Sequence, residues 1–158
     1  MSALPPIAAE PRVRPARPGE AGLLIDFQVR LARESEGLEL DLAALGRGVR
    51  AVFDDRGLGE YWVAELDGEV AGCLLVTREW SDWRNGTVLW IQSVYVRPEA
   101  RGRGVCRSLY EHQRRRVEDA PDLMGIRLYA DRGNRGARAT YERLGMSGEH
   151  YVLYEWMK

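Results

Sequence analysis

Lysine is nearly missing from this sequence. Lys158 is the only one, and every other basic side chain is arginine. That bias reads as genomic base composition and carries no chemistry. Histidine and cysteine are as sparse. His112, His150, Cys73 and Cys106 lie scattered, without the close ligand pairs a zinc site requires, so no metal is expected. Nor does either sign of charge dominate: 23 basic residues face 24 acidic ones, for a net charge of −1. Such a balance gives no overall drive toward nucleic acid or an anionic membrane. No apolar run approaches the ~20 residues needed to span a bilayer. The first 17 residues carry Pro5, Pro6, Pro11 and Pro15 and lack the apolar core of a secretion signal. The expected compartment is therefore the cytoplasm, with both cysteines as free thiols.

What is present suits a single globular domain. The 158 residues are 45% hydrophobic and 30% charged, enough for one core without disulfides or metal. Residues 1–10 read as a flexible Pro/Ala-rich tail and 11–158 as one domain. A short extended piece at about 12–16 precedes a helix over 19–34, with Leu23, Leu24, Phe27, Leu31 and Ala32 at helical spacing. Ser35-Glu36-Gly37 interrupts it, and Asp41 is an N-cap for a second helix through Phe53. Three β-prone runs follow at 61–66, 70–77 and 87–96. Asp67-Gly68 and Asn85-Gly86 separate them, dipeptides suited to two-residue hairpin turns, so an antiparallel meander is expected. A helix over 104–119, a buried strand over 126–130, a helix over 134–144 capped by Gly145, and a last strand over 151–156 complete the order β-α-α-β-β-β-α-β-α-β. The class is α/β (α+β), a mixed central sheet with flanking helices.

The chemistry concentrates at residues 93–106, where a strand, a Gly/Arg loop and a helix start succeed one another. Such a loop leaves backbone N–H groups facing outward, and a helix N-terminus adds about half a positive charge. Together they form a cradle for phosphate. Gly102 and Gly104 permit close approach, and Arg101 and Arg103 add forked donors. Gly-x-Gly alone is equally a tight strand-to-helix turn. The Walker loop fails because no Gly-Lys-Ser/Thr is present, and the dinucleotide fingerprint fails because position 107 is arginine.

Arg101-x-x-Gly104-x-Cys106, after the strand Val94-Tyr95-Val96 and Pro98, resembles motif A of the GNAT N-acetyltransferases, Arg/Gln-x-x-Gly-x-Gly/Ala. A second matching pattern follows in Asn134-x-x-Ala137-x-x-x-Tyr141-x-x-x-Gly145-Met146. The resemblance covers roughly residues 12–156 and implies the GNAT fold. It implies that acetyl-CoA is the donor, its pyrophosphate held by the backbone of Arg101, Gly102, Arg103, Gly104, Val105 and Cys106. It further implies that the main chain of Val94 and Val96 pairs with the pantetheine arm like an added strand. Asn134 would contact that arm, on a helix that also carries Ala137. The Val94 N–H would hold the thioester carbonyl, and Tyr141 would protonate the departing thiolate. Asn134 and Tyr141 lie seven residues apart, on one helix face. Cys106 departs from the motif's Gly/Ala, and we read it as a small packing residue, not a nucleophile.

The acceptor implied is a primary amine, as a small molecule or a peptide, and a homodimer is the assembly the resemblance suggests. An amine must lose a proton, so a base or water chain is needed. Two carboxylate groups are candidates: Glu34 and Glu36 at the break between the first two helices, and Glu79 near Trp80 and Trp83. Trp80, Trp83 and Trp90 could form an aromatic wall for a cationic amine, or sheet packing. Gln92, two residues before Val94, is a candidate for positioning the acceptor or a water. The run Arg114-Arg115-Arg116 is diluted by Glu111, Glu118 and Asp119, so it reads as a solvated helix face and not a nucleic-acid patch. The rival reading is a non-catalytic acyl-CoA-binding regulatory module on the same fold.

Overall fold

The computed structural model describes residues 9–158. The expected tail lies outside the described residues for positions 1–8, and Ala9 and Glu10 are exposed coil. The chain then runs β1 (Arg12–Pro15), α1 (Ala21–Glu36), α2 (Leu42–Asp54), β2 (Glu60–Leu66), β3 (Glu69–Ser81), β4 (Gly86–Val96), α3 (Val105–Asp119), β5 (Leu123–Leu128) and α4 (Arg135–Arg143). Two single 3-10 turns, Pro18–Glu20 and Pro98–Ala100, precede α1 and the α3 loop. The five strands form one sheet in sequential order, antiparallel from β1 to β4 and parallel between β4 and β5. This is the mixed sheet with an antiparallel meander that the sequence predicts.

Local chemistry accounts for most boundaries. Asp41 caps α2 as expected, accepting from the N–H groups of Ala43 and Ala44 at 2.8 and 3.1 Å. Gly37 ends α1 at φ +65°, and Asp67-Gly68 turns β2 into β3 with both residues at positive φ, as a two-residue turn of this hand requires.

Three expectations need correction. The run expected over 70–77 continues as β3 through Arg78 to Ser81, with Trp80 opposite Thr87 and Ser81 opposite Gly86. The β3–β4 turn is consequently the four residues Asp82 to Asn85, where Asn85 alone takes φ +47°. Gly86 sits inside β4, where a Cβ would lie 2.6 Å from the Met124 side chain. The expected strand over 126–130 forms earlier, as Leu123–Leu128, paired with β4 from Thr87 to Ile91. The expected last strand over 151–156 does not form: β-prone residues make a strand only where a ladder partner exists, and this segment is exposed and unpaired.

Side-chain alternation splits the core across the sheet. Leu74, Val76, Leu89 and Ile91 face α3, packing with Val105, Leu109 and Tyr110. Tyr61, Val63, Cys73 and Tyr95 face α1 and α2, packing with Leu24, Phe27 and Val49. Leu109 is fully buried. Leu109→Ala should lower unfolding free energy by about 2–5 kcal/mol, read from the urea midpoint at unchanged slope.

Candidate active site

The site is built on a defect in β4. Leu75 pairs with Ser93 but Val76 pairs with Ile91, so Gln92 is an extra residue, a β-bulge. The bulge shifts the alternation: Leu89 and Ile91 share a face with Val94 and Val96, and Tyr95 turns to the other side. Gln92 and Val94 therefore do not follow the simple alternation that the sequence suggests. The bulge also coincides with the end of β4–β5 pairing at Ile91. Beyond it, β4 keeps β3 on one side and, among the described residues, has no strand on the other. This is the carboxyl end of two diverging parallel strands, where open α/β sheets receive ligands.

The Gly/Arg loop closes one end of that opening. Gly102 and Gly104 take φ +73° and +81°, and Gly104 starts α3 with no side-chain cap. The first N–H groups of α3 thus lack a side-chain or intrahelical partner. A Cβ at either glycine would meet nothing within 4 Å. The loop faces a cleft of about 910 Å³, walled by α3, α4 and the end of β4. The space, the free N–H groups and the helix N-terminus fit a pyrophosphate. Arg101 borders the cleft while its guanidinium pairs with Glu34; Arg103 does not border it and pairs with Asp67 at 2.8 Å. Arg107, Arg114 and Arg143 line the cleft as well; Arg114 was expected only on a solvated helix face, and Arg107 and Arg143 were not expected at the site. The seven-residue spacing of Arg107 and Arg114, two helical turns, was the available signal.

A smaller hollow of about 310 Å³ lies beside the cleft, between α1, the bulge and the chain after β5. Val94, Ala137 and Tyr141 line both spaces. Burial, with the neighbouring Cys106 thiol, pushes the Tyr141 hydroxyl well above its usual value, so it stays protonated. Asn134 also lines the hollow, and its side chain caps α4 by accepting from the Ala137 N–H at 3.1 Å. Burial likewise raises the Cys106 thiol, which disfavours the thiolate a nucleophile needs. Incubation with acetyl-CoA alone should therefore leave the intact mass unchanged; a gain of one acetyl group, mapped to Cys106, would contradict this.

The carboxylate candidates separate. Glu36 lines the smaller hollow. Glu34 does not: it accepts from Arg101 and from the Tyr95 hydroxyl at 3.1 Å, and Arg101 chiefly holds it below the usual carboxylate value. A carboxylate so held is a poor proton acceptor. Glu79 lies opposite Val88 on β4, about 20 Å along the strand from Val94. Both its oxygens are engaged, one by Trp90 Nε1 and the other by Arg127 at 2.8 Å. Trp80 and Trp83 stand in solvent, Trp83 91% exposed. Glu79 and the two tryptophans line neither space, because the extended β3–β4 hairpin carries them away from the bulge. Gln92 does line the hollow, and it donates to Thr77 at 2.7 Å.

The structure adds Gln28, Asp131 and Tyr129 to the hollow, with Leu31, Leu38 and Leu40. Gln28 donates to Ser93 Oγ at 3.2 Å, joining α1 to the bulged strand. A polar residue four positions after Leu24, on the apolar stripe of α1, was its signal. Among the described residues no group of three or more His, Cys, Asp or Glu is placed to hold a metal, and no helix is long and apolar enough to cross a membrane.

Residues 28–146 match the model of the Acetyltransferase (GNAT) family. A solved structure described as a possible acetyltransferase from Clostridium difficile 630 is 38% identical, with a TM-score of 0.87 over 95% of this chain and 99% of that one. At 15% identity, the ribosomal-protein-alanine N-acetyltransferase of Brucella melitensis biovar Abortus 2308 superposes with a TM-score of 0.73, over 93% and 99% of the two chains. An aminoglycoside acetyltransferase from an uncultured soil metagenomic sample, in complex with sisomicin, is 13% identical, with a TM-score of 0.71 over 94% and 95%. These last two likenesses are of fold. No curated protein matches the sequence.

Proposed function

The chain belongs to the GNAT acetyltransferase family, and from that premise we propose that it is an N-acetyltransferase moving an acetyl group from acetyl-CoA to a primary amine. The observation that carries this reading is the meeting of the two spaces at Val94, Ala137 and Tyr141. Donor and acceptor can enter from opposite sides of one point, so transfer can be direct, without an acyl-enzyme.

In this reading the pyrophosphate rests on the backbone from Arg101 to Cys106, with Arg107 and Arg143 near the charged end of the donor. The pantetheine arm lies along Val94 to Val96, on the side of β4 that has no strand neighbour, and Asn134 contacts it. The amine enters the smaller hollow, loses a proton and attacks the thioester carbonyl. A C–N bond forms as the C–S bond breaks. The Val94 N–H stabilises the oxyanion in transit, and Tyr141 gives its proton to the leaving thiolate. Glu36 and Asp131 are the carboxylates bordering the hollow, and they would draw in a cationic amine and take its proton through water. Leu31, Leu38, Leu40 and Tyr129 would pack its carbon skeleton.

Mixing the protein with acetyl-CoA and a panel of amines tests this reading. Polyamines, aminoglycosides, amino acids and peptides each belong in the panel. Amine-dependent release of free thiol is the expected result. Donor binding without thiol release for any amine would favour the non-catalytic acyl-CoA-binding module.

A further inference from the structure

The two spaces that meet at Tyr141 carry opposite charge. Four arginines and a single glutamate, Glu111, border the larger cleft. Two carboxylates, Glu36 and Asp131, border the smaller hollow, and among the described residues no arginine, lysine or histidine does. The contrast says more about the acceptor than that it is an amine. An amine that also bears a carboxylate, as a free amino acid does, would carry it into a space with two like charges and no cation. That carboxylate would lose water without gaining an ionic partner. Like charges brought together discriminate strongly against a ligand.

The neutral groups on the wall favour a cation too. Gln28 donates from its amide nitrogen to Ser93 Oγ at 3.2 Å, and Gln92 donates likewise to Thr77 Oγ1 at 2.7 Å. Each keeps its carbonyl oxygen as an acceptor, and an ammonium has three donors to offer.

The two carboxylates differ in availability. One oxygen of Asp131 accepts from the Gly133 N–H at 2.6 Å. Glu36 has no ion-pair partner among the described residues, whereas Arg101 and Arg33 hold its neighbours Glu34 and Glu39. Glu36 also ends α1, where the negative end of the helix dipole adds to its own charge. It lies eight residues after Gln28, which is tied to the bulged strand beside Val94. Eight residues of helix rise about 12 Å, less what the Glu36 side chain recovers by leaning toward the helix N-terminus. Leu31 and Ala32 line the hollow between these two positions. From the reaction centre outward, the order is acceptor oxygens, an apolar stretch, then a free carboxylate.

We propose that the acceptor is a linear diamine or polyamine without a carboxylate, one amino group at Val94 and Tyr141 and a second ammonium at Glu36. This rests on the N-acetyltransferase reading and narrows it. The methylenes between the nitrogens lie against Leu31, Leu38 and Leu40. The reacting nitrogen loses its proton through water and forms the C–N bond as the C–S bond breaks, and Tyr141 protonates the thiolate. The product keeps its charge at Glu36 and loses the one at the new amide.

Thiol release from acetyl-CoA with matched amines tests this. Cadaverine and lysine differ by one carboxylate, cadaverine and pentylamine by one ammonium, and sisomicin carries its amines on rings. The expected kcat/KM for cadaverine is at least about 10-fold above that for lysine. It should exceed that for pentylamine by about 5-fold, mostly in KM, as a partly exposed ion pair allows. In Glu36→Gln the ratio of cadaverine to pentylamine should fall close to one, with a melting temperature near wild type. Loss of a proton-accepting role alone would slow both amines equally and leave the ratio in place. Lysine used as well as cadaverine, sisomicin used better, or a ratio that survives Glu36→Gln would overturn the proposal and leave acetyl transfer to amines standing. No thiol release with cadaverine or spermidine would also overturn it. The broader reading falls only if the whole amine panel is silent.

Discussion

Tyr141→Phe should lower kcat by about 10²–10⁴-fold, the usual contribution of a positioned general acid, while acetyl-CoA affinity changes little. The phenyl ring fills the same space between the two hollows, so packing is kept and one hydroxyl is lost. The thiolate that must leave has a conjugate acid near ~8.5. Burial holds the Tyr141 hydroxyl above its usual 10.0, so its proton is present across the whole working range and falling kcat at alkaline pH would not come from this group. Without it the thiolate must depart unprotonated or wait for water. A hundredfold loss corresponds to about 2.7 kcal/mol of barrier, far more than a surface change of this size causes. The check is kcat and KM with amine saturating. An unchanged kcat would remove Tyr141 from the mechanism; a KM effect alone would make it a binding residue.

Gly104→Trp should abolish acetyl-CoA binding, a loss of at least about 100-fold in Kd, or roughly 2.7 kcal/mol. Position 104 opens α3 at φ +81°, and a Cβ there points into space. The indole would occupy the cleft at the N–H groups that receive the pyrophosphate. A residue other than glycine at this φ also costs about 1–2 kcal/mol of stability, so the variant should melt a few degrees lower but still fold cooperatively. Calorimetry with acetyl-CoA on the folded variant reads the effect directly. Binding at wild-type affinity would show that the donor does not use this loop.

The parts of this account that were legible in the sequence are those set by local chemistry. Asp41 caps, Asp67-Gly68 turns, and the pair of glycines before α3 forms an open loop, each for reasons contained within a few residues. The elements that misled depend on partners distant in the chain. Glu79, Trp80 and Trp83 looked like an acceptor wall because aromatic and carboxylate side chains cluster there, as recognition of a cationic amine would require. Only the register with Thr87 and Val88 shows that β3 carries them away. Glu34 looked available as a base, but its partner Arg101 is 67 residues away. The bulge at Gln92, which opens the site, leaves no mark in residues 87–96, since it is a mismatch between two strands and not a property of one. The strand expected over 151–156 rested on composition alone, and in the structure those β-prone residues pair with no strand.

The claim that this cleft is an acyl-CoA site is tested most directly by the melting temperature of the wild-type protein with and without acetyl-CoA. At 100-fold excess over Kd, binding adds about 2.7 kcal/mol, which for a domain of this size is roughly 5–10 °C. A rise of that order, saturating with acetyl-CoA and absent with adenine alone, is the predicted result. No rise at millimolar acetyl-CoA would contradict the account.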